Sequence, residues 1–364
     1  MSALSRSRND LVILPPNRVW RTYPGGATLD KLAEKAEPAD SHFSEDWIGS
    51  VTKAVNPGRE NVTEGVSTVS VGSDTFDFAE LLASDPDYFL GTAHVARHGI
   101  SPMLLVKFLD SAIRLNFQCH PSNEFARRVL NSPSGKTEAY HILGVRDDIT
   151  DPFIYVGFQR PPSPGKLRDI VAQQDMSALE ACFDKIPVRS GDTFIIPGGV
   201  PHALGEGVFM IEIQEPTDFA VRFEFERAGF VLPEVARFMG RDIDFGLSVV
   251  DRTAYSMADI ESSFRCRGHD RLAISAASWR ETLIGPKQTP CFSVRTTRVA
   301  DTCRRVDDTF SINIVTAGTL DVRVGDKTHH LQTYDKFFCP AGLAPLDLTP
   351  TSESARILEC LPPN

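Results

Sequence analysis

Four side chains, Gln118, His120, Glu138 and His202, have the types and the spacing of a mixed nitrogen–oxygen metal site. Gln118 and His120 flank Cys119, and in an extended chain residues i and i+2 share a face, so the two project together while Cys119 points away. Glu138 opens a later strand in the run Gly135-Lys136-Thr137-Glu138. His202 closes the run Gly191-Asp-Thr-Phe-Ile-Ile-Pro197-Gly-Gly199-Val-Pro-His202. Thr193 to Ile196 suit a buried strand, Pro197 ends its ladder for want of an N–H, and Gly198-Gly199 permit the turn that delivers the histidine at a fixed offset. Two imidazoles, a carboxylate and an amide oxygen suit one Zn²⁺ per chain, with Mn²⁺, Co²⁺ or Fe²⁺ as alternatives. Each residue taken singly has an ordinary structural explanation. The three separated signals together carry the metal reading.

Charged groups stand close to these positions in sequence. Lys136 lies two residues before Glu138, and in the strand from Val208 to Gln214 the carboxylate of Glu212 shares a face with Met210 and Gln214. Arg222 shares a face with Glu224 and Glu226, opposite Phe223 and Phe225. That alternation fits an inward polar cavity or an exposed sheet face, and the pattern alone favours the exposed face. A metal and a guanidinium that face one cavity can stabilise oxyanion charge, and a base beside them can move a proton. Lys136 and Glu212 are both candidates for that base, and the sequence leaves the choice open.

The elements that must hold these groups are mostly strands. Apolar or β-branched runs predict strands at 103–108, 113–120, 138–145, 153–158, 193–196, 208–214 and 219–226. Short helices are predicted at 28–37 and 76–83, with helical turns at 123–130. A helical period returns at about 161–187, through Leu167, Ile170, Val171, Leu179, Cys182 and Phe183, and again at about 228–262. From about 272 the chain is β-rich to its end. There Asp335-Lys-Phe-Phe-Cys-Pro340-Ala-Gly342-Leu-Ala344-Pro345 repeats the strand-Pro-x-Gly turn of 192–202, with Pro345 where His202 stood. The repeat implies two barrels, of which the first alone keeps a metal. His329 and His330 are adjacent in a strand, face opposite ways and read as surface residues.

Composition narrows the function. The 364 residues exceed the usual size of one domain, and the net charge of −10 with no dense Lys/Arg run argues against a nucleic-acid partner. No stretch of about 18 apolar residues is present to span a membrane, and the polar start Met1 to Asp10 has no apolar signal core. Seven dispersed cysteines without a CxxC pair suggest reduced thiols and a cytoplasmic setting. Nothing in the sequence sets an oligomeric state.

The strand-Pro-Gly-Gly-His run matches the second metal-binding motif of the cupin superfamily. With the upstream blocks Leu104-Leu-Val-Lys107-Phe-Leu-Asp110, Leu115-Asn-Phe-Gln118-Cys-His120-Pro121 and Gly135-Lys136-Thr-Glu138-Ala-Tyr140, the chain resembles the class I mannose-6-phosphate isomerases of the short bacterial form. Glu212-Ile-Gln214-Glu-Pro-Thr-Asp218-Phe-Ala-Val-Arg222 continues the likeness, which is clear over about 18–230 and looser beyond. The resemblance implies a mainly β fold of cupin barrels with helical insertions. The expected division is a metal-binding domain over 1–262 and a degenerate, metal-free β domain over 263–364. It implies zinc on Gln118, His120, Glu138 and His202, catalytic roles for Arg222, Lys136 and Glu212, and a phosphate contact from Lys107. The implied reaction is the interconversion of mannose-6-phosphate and fructose-6-phosphate through an enediol.

Departures from the family pattern bear on the substrate. Asn116 replaces a serine associated with phosphate, Val221 replaces the tyrosine before the arginine, and Tyr23-Pro24-Gly25-Gly26 and Ser44-Glu45-Asp46-Trp47 replace Trp-Gly-Gly and Gly-Glu-x-Trp. Lys107, Lys136 and Arg222 predict a locally cationic pocket for a sugar phosphate, with Asn116 able to donate to the phosphate through its amide. An unphosphorylated sugar, a non-catalytic sugar-binding cupin and an Fe²⁺ oxygenase are the competing readings.

Overall fold

In the computed structural model, which describes residues 8–343 and 345–363, sixteen strands form two sets of eight. Most of the polar start of the chain (residues 1–7) and Ala344 of the repeated turn lie outside the described residues. The first set is β1 Leu105–Asp110, β2 Gln118–Cys119, β3 Glu138–Val145, β4 Phe153–Val156, β5 Ile186–Pro187, β6 Thr193–Ile196, β7 His202–Leu204 and β8 Val208–Gln214. The second is β9 Ser293–Val299, β10 Cys303–Arg305, β11 Ser311–Ala317, β12 Thr319–Val324, β13 Lys327–Gln332, β14 Lys336–Cys339, β15 Leu346–Pro350 and β16 Ala355–Leu361.

Each set makes two facing antiparallel sheets. In the first set the orders are β6-β3-β8-β1 and β5-β4-β7-β2, and in the second they are β14-β11-β16-β9 and β13-β12-β15-β10. Adding eight to every label of the first set gives the second, so one jelly-roll topology occurs twice. This is the mainly β cupin architecture with helical insertions that the sequence predicts.

Period-two alternation explains how the barrels pack. Val106 and Phe108 of β1 and Ile211 and Ile213 of β8 turn outward and share one apolar core with Val294, Ile312, Ile314, Phe338 and Leu358 of the second set. The two large sheets therefore stand back to back. Leu109 of β1, Tyr140 and Ile142 of β3 and Met210 of β8 turn inward to fill the first barrel. The same alternation obliges Lys107 and Glu212 to face inward. Helices Pro164–Gln173 and Met176–Glu180 cover the outside of the small sheet, packing Leu167, Ile170, Val171 and Leu179 on Phe117, Cys119 and Tyr155. Phe117 and Cys119 turn outward, which aims Gln118 into the barrel.

Strand pairing crosses the residue 262/263 line in both directions. Val12–Ile13 pairs with β14, and Arg265–Cys266 pairs with β6. Asp46 and Lys336 form a buried ion pair between the two halves.

Several elements differ from expectation. The 113–120 strand shrinks to Gln118–Cys119 because the preceding turn is tied elsewhere: the Leu115 N–H donates to Leu204, and Arg114 is drawn onto Glu224. The 219–226 strand breaks into Val221–Arg222 and, from Glu226, the separate short strand Glu226–Arg227. The helical segment 228–262 breaks into the pieces Glu234–Arg237, Ile243–Leu247 and Met257–Asp259, plus a π-turn at Ile260–Phe264, as its glycines and Pro233 interrupt the ladder. Helices Pro86–Leu90 and Thr92–His98 and the strands Glu45–Ile48, Thr68–Val71 and Asp74–Asp77 had no clear sequence signal.

Candidate metal centre

Strand register gathers the predicted ligands at the mouth of the first barrel. Glu138 is the first residue of β3 and His202 the first of β7. His202 stands directly opposite Gln118 on β2, and Gln118 stands opposite Arg222 on the strand beyond it. Directly opposed residues share a face, so all three project into the barrel. His120 follows β2, and its Nδ1 lies 2.7 Å from the Phe219 carbonyl; His202 Nδ1 lies 2.9 Å from the Val200 carbonyl. An N–H donated to a carbonyl at each Nδ1 leaves each Nε2 an unprotonated donor atom for a metal; among the described residues that of His202 has no partner, while that of His120 accepts from Lys136.

Those lone pairs converge on one carboxylate. His120 Nε2 is 3.2 Å from Glu138 Oε2, His202 Nε2 is 3.1 Å from Glu138 Oε1, and the three ligand atoms lie within 4.8 Å of one another. All three residues are buried. Among the described residues Glu138 Oε2 and His202 Nε2 make no aligned hydrogen bond, Oε2 having only the Lys136 ammonium at 3.0 Å, although a buried unsatisfied polar atom costs about 1–3 kcal/mol. A divalent cation would satisfy both, so the donor set fits a metal. Burial, reinforced by the charge of Lys136, pushes His120 down to about 3, which keeps its imidazole neutral. Burial opposes the ionised form of Glu138, but Lys136 and the two histidines outweigh it and hold the carboxyl well below its usual range.

The charged groups line a cavity beside these ligands. Lys136 Nζ lies 3.0 Å from both His120 Nε2 and Glu138 Oε2. Lys107 Nζ is 2.7 Å from Glu212 Oε2 and 3.5 Å from Glu45 Oε2, with the Glu212 contact off hydrogen-bonding alignment. Burial raises the Glu212 carboxyl above its usual value, against the pull of Lys107. Arg222 borders the cavity rather than an exposed face, and its guanidinium makes no side-chain hydrogen bond or ion pair among the described residues. Its Nε is buried without a partner. Asn116 also lines the cavity but spends an amide N–H on the Glu224 carbonyl, at 3.1 Å.

The expectation of a cationic pocket is corrected by four carboxylates. Arg21, Lys107, Lys136 and Arg222 are matched around the cavity by Glu45, Glu138, Glu212 and Asp218. Glu45, Asp218, Arg21, Tyr23 and Tyr140 were not singled out from the sequence for a role. Tyr140 was recoverable, since it shares the inward face of β3 with Glu138 and its hydroxyl donates to that carboxylate. Asp218 lies in the same run as Arg222, four residues earlier. Arg21, Tyr23 and Glu45 come from distant segments with no pattern that ties them to the barrel. His329 and His330 bind separate partners, Asp10 and Asp321, each at 2.6 Å.

Register also identifies the matching place in the second barrel. Glu138 opposes Ile196, the last residue of β6, as Ser311 opposes Cys339, the last of β14; Tyr140 opposes Glu212 as Asn313 opposes Glu359. Where the first barrel has its ligand cluster, Arg305 donates to Ser311 at 2.9 Å, Asn313 at 2.8 Å and Asp307 at 2.6 Å, and lies 3.7 Å from the fully buried Glu359. A fixed guanidinium holds the centre of this barrel together. Arg305→Met should destabilise the protein by about 3–5 kcal/mol, because it leaves buried acids short of a cation. Urea unfolding checks this, and a loss below about 1 kcal/mol would refute it.

Fold and site together define a two-barrel protein of cupin-type fold with a candidate metal centre in its first barrel. The fold is that of the phosphomannose isomerases. The crystal structure of the mannose 6-phosphate isomerase from Bacillus subtilis superposes with a TM-score of 0.73 at 20% identity, covering 96% of this chain and 99% of that one. A phosphomannose isomerase variant from Salmonella typhimurium gives 0.70 at 14% identity, covering 97% and 100%. In sequence, the mannose-6-phosphate isomerase of Streptococcus mutans is 34% identical over 125 residues, and one from Bacillus subtilis is 28% identical over 125. Each alignment takes in 34% of this chain and spans only 37% and 38% of those relatives. No protein-family model matches the chain.

Proposed function

We propose that this protein is a metal-dependent aldose–ketose isomerase that interconverts mannose-6-phosphate and fructose-6-phosphate through an enediol. The observation that carries the reading is the half-buried guanidinium of Arg222, unpaired among the described residues and with its Nε buried, in a cavity lined also by Lys136, which touches His120 and Glu138. The relatives of this fold named as mannose-6-phosphate isomerases support it. Zinc is the proposed ion, held by His120, Glu138 and His202 with Gln118 as the fourth donor. When bound, the ion supplies Lewis-acid stabilisation of charge on the sugar oxygens.

The chain's own residues do the rest. Arg222 takes the developing oxyanion or the substrate's anionic group, because no carboxylate among the described residues engages it. Glu212, with an unsatisfied Oε2 and a carboxyl raised by burial, is suited to take the C2 proton and return it to C1 on the same face. Lys136 is the second candidate for that transfer. Lys107 shares its charge between Glu212 and Glu45, so its proposed phosphate contact competes with two carboxylates. A division into a metal-binding half over 1–262 and a metal-free half over 263–364, joined by a shared core and exchanged strands, and a cytoplasmic setting, consistent with seven free cysteines, belong to the same proposal.

The test is turnover of mannose-6-phosphate and free mannose, in parallel, by the zinc-loaded protein. The phosphorylated sugar should exceed the free one in kcat/KM by about 100-fold or more, since each charge-assisted hydrogen bond to phosphate contributes about 1.5–3 kcal/mol. Equal values would move the reading to unphosphorylated sugars. Lys107→Met should lower kcat/KM for both sugars by freeing Glu212. A loss confined to the phosphorylated sugar would return Lys107 to direct phosphate binding.

A further inference from the structure

Among the described residues Arg222 is unpaired, although two carboxylates that could neutralise it line the same cavity. Asp218 and Glu45 both attract it electrostatically, yet neither forms an ion pair with it. A second guanidinium occupies both. Arg21 grips Asp218 with two parallel bonds of 3.0 Å, from Nη1 to Oδ2 and from Nη2 to Oδ1, and its Nε lies 3.3 Å from Glu45 Oε1. The guanidinium sits 5.7 Å from the centre of the Trp47 ring and donates to Asn56 Oδ1 at 3.3 Å. Asp218 is further fixed by the Val55 N–H at 3.0 Å, and Glu45 by the Tyr23 hydroxyl and by Trp47 Nε1 at 2.6 Å.

We infer that Arg21 is a positioning residue, which withholds Asp218 and Glu45 from Arg222 and so keeps that guanidinium available to substrate. The inference rests on the isomerase reading for its kinetic consequence, but not for its geometry. A buried cation left beside a carboxylate that has lost its own partner will pair with it, since both charges are otherwise uncompensated. Without Arg21, Asp218 turns onto Arg222, and substrate must then break that pair. The bidentate grip requires a planar fork and not merely a charge, so lysine can replace Arg21 only in part.

Two variants and two measurements test this. Crystal structures of the Arg21→Met and Arg21→Lys proteins are compared with the parent, and turnover of mannose-6-phosphate is measured for all three with zinc bound. In Arg21→Met, an Asp218 oxygen should lie within hydrogen-bond distance of the Arg222 guanidinium, and kcat/KM should fall by about 100-fold or more, matching about 3 kcal/mol of competing charge-pair interaction. Arg21→Lys should recover at least part of that loss, with Arg222 still unpaired. An Arg21→Met protein in which Arg222 remains unpaired, or is paired while kcat/KM stays within about threefold, overturns the inference. Should Arg21→Met not fold, Arg21→Gln, whose amide can still donate to its neighbours, carries the same comparison. If the parent itself turns over no sugar, the isomerase reading falls and the position of Asp218 alone decides the role of Arg21.

Discussion

Protein carrying His202→Ala, purified from zinc-replete culture, should retain less than about a tenth of an equivalent of metal, and His120→Ala should behave alike. Loss of a group that merely orients a ligand already costs about 10–100-fold in metal affinity, and loss of a ligand costs more. Both imidazoles are oriented by a backbone carbonyl and aimed at Glu138, so neither can be replaced by a neighbour that swings in. Elemental analysis of the purified variants, with chelator competition for the parent, gives the comparison. His329→Ala and His330→Ala should leave the metal content unchanged, because those side chains bind Asp10 and Asp321 at the far barrel. Full zinc in both His120 and His202 variants would remove the metal centre from the protein.

The clustering of the candidate ligands was legible where a strand or its closing turn announces itself. Thr193 to Ile196 is a β-branched and aromatic run closed by Pro197, and Glu138 begins an eight-residue strand, so the chain locally dictates where those side chains go. The repeated turn at 335–345 was legible for the same reason, and β14 occupies in the second barrel the place of β6 in the first. What the sequence concealed lies where tertiary contacts override local preference. The 113–120 run is apolar enough for a long strand, yet Arg114 is drawn out of it to Glu224 and only two residues pair. The facing of Arg222 could not be read from alternation, because polar residues on one side of a strand describe a solvated surface and a lined cavity equally well. The carboxylates that neutralise the pocket are the clearest case. Glu45 reaches the cavity because Glu45–Ile48 pairs with β1, a register between segments some sixty residues apart that leaves no periodic trace.

Removal of the Arg222 side chain should separate activity from stability. Arg222→Ala is expected to lower kcat by about 100–1,000-fold with a much smaller change in KM, the size of effect produced when one preorganised donor to an oxyanion is lost. Most buried cations cannot be deleted without penalty, since a partner is left uncompensated. Arg222 differs: it is half-buried, it makes no ion pair among the described residues, its Nε is unsatisfied, and desolvation together with the nearby charge of Arg21 lowers its pKa. Its replacement should therefore leave the melting temperature unchanged or raise it, with zinc still bound. An inactive variant with a melting temperature at or above that of the parent would mark Arg222 as a residue kept for chemistry at a cost to stability. Near-normal turnover would take the guanidinium out of the reaction. A large fall in melting temperature would mean that Arg222 has partners in solution and is structural.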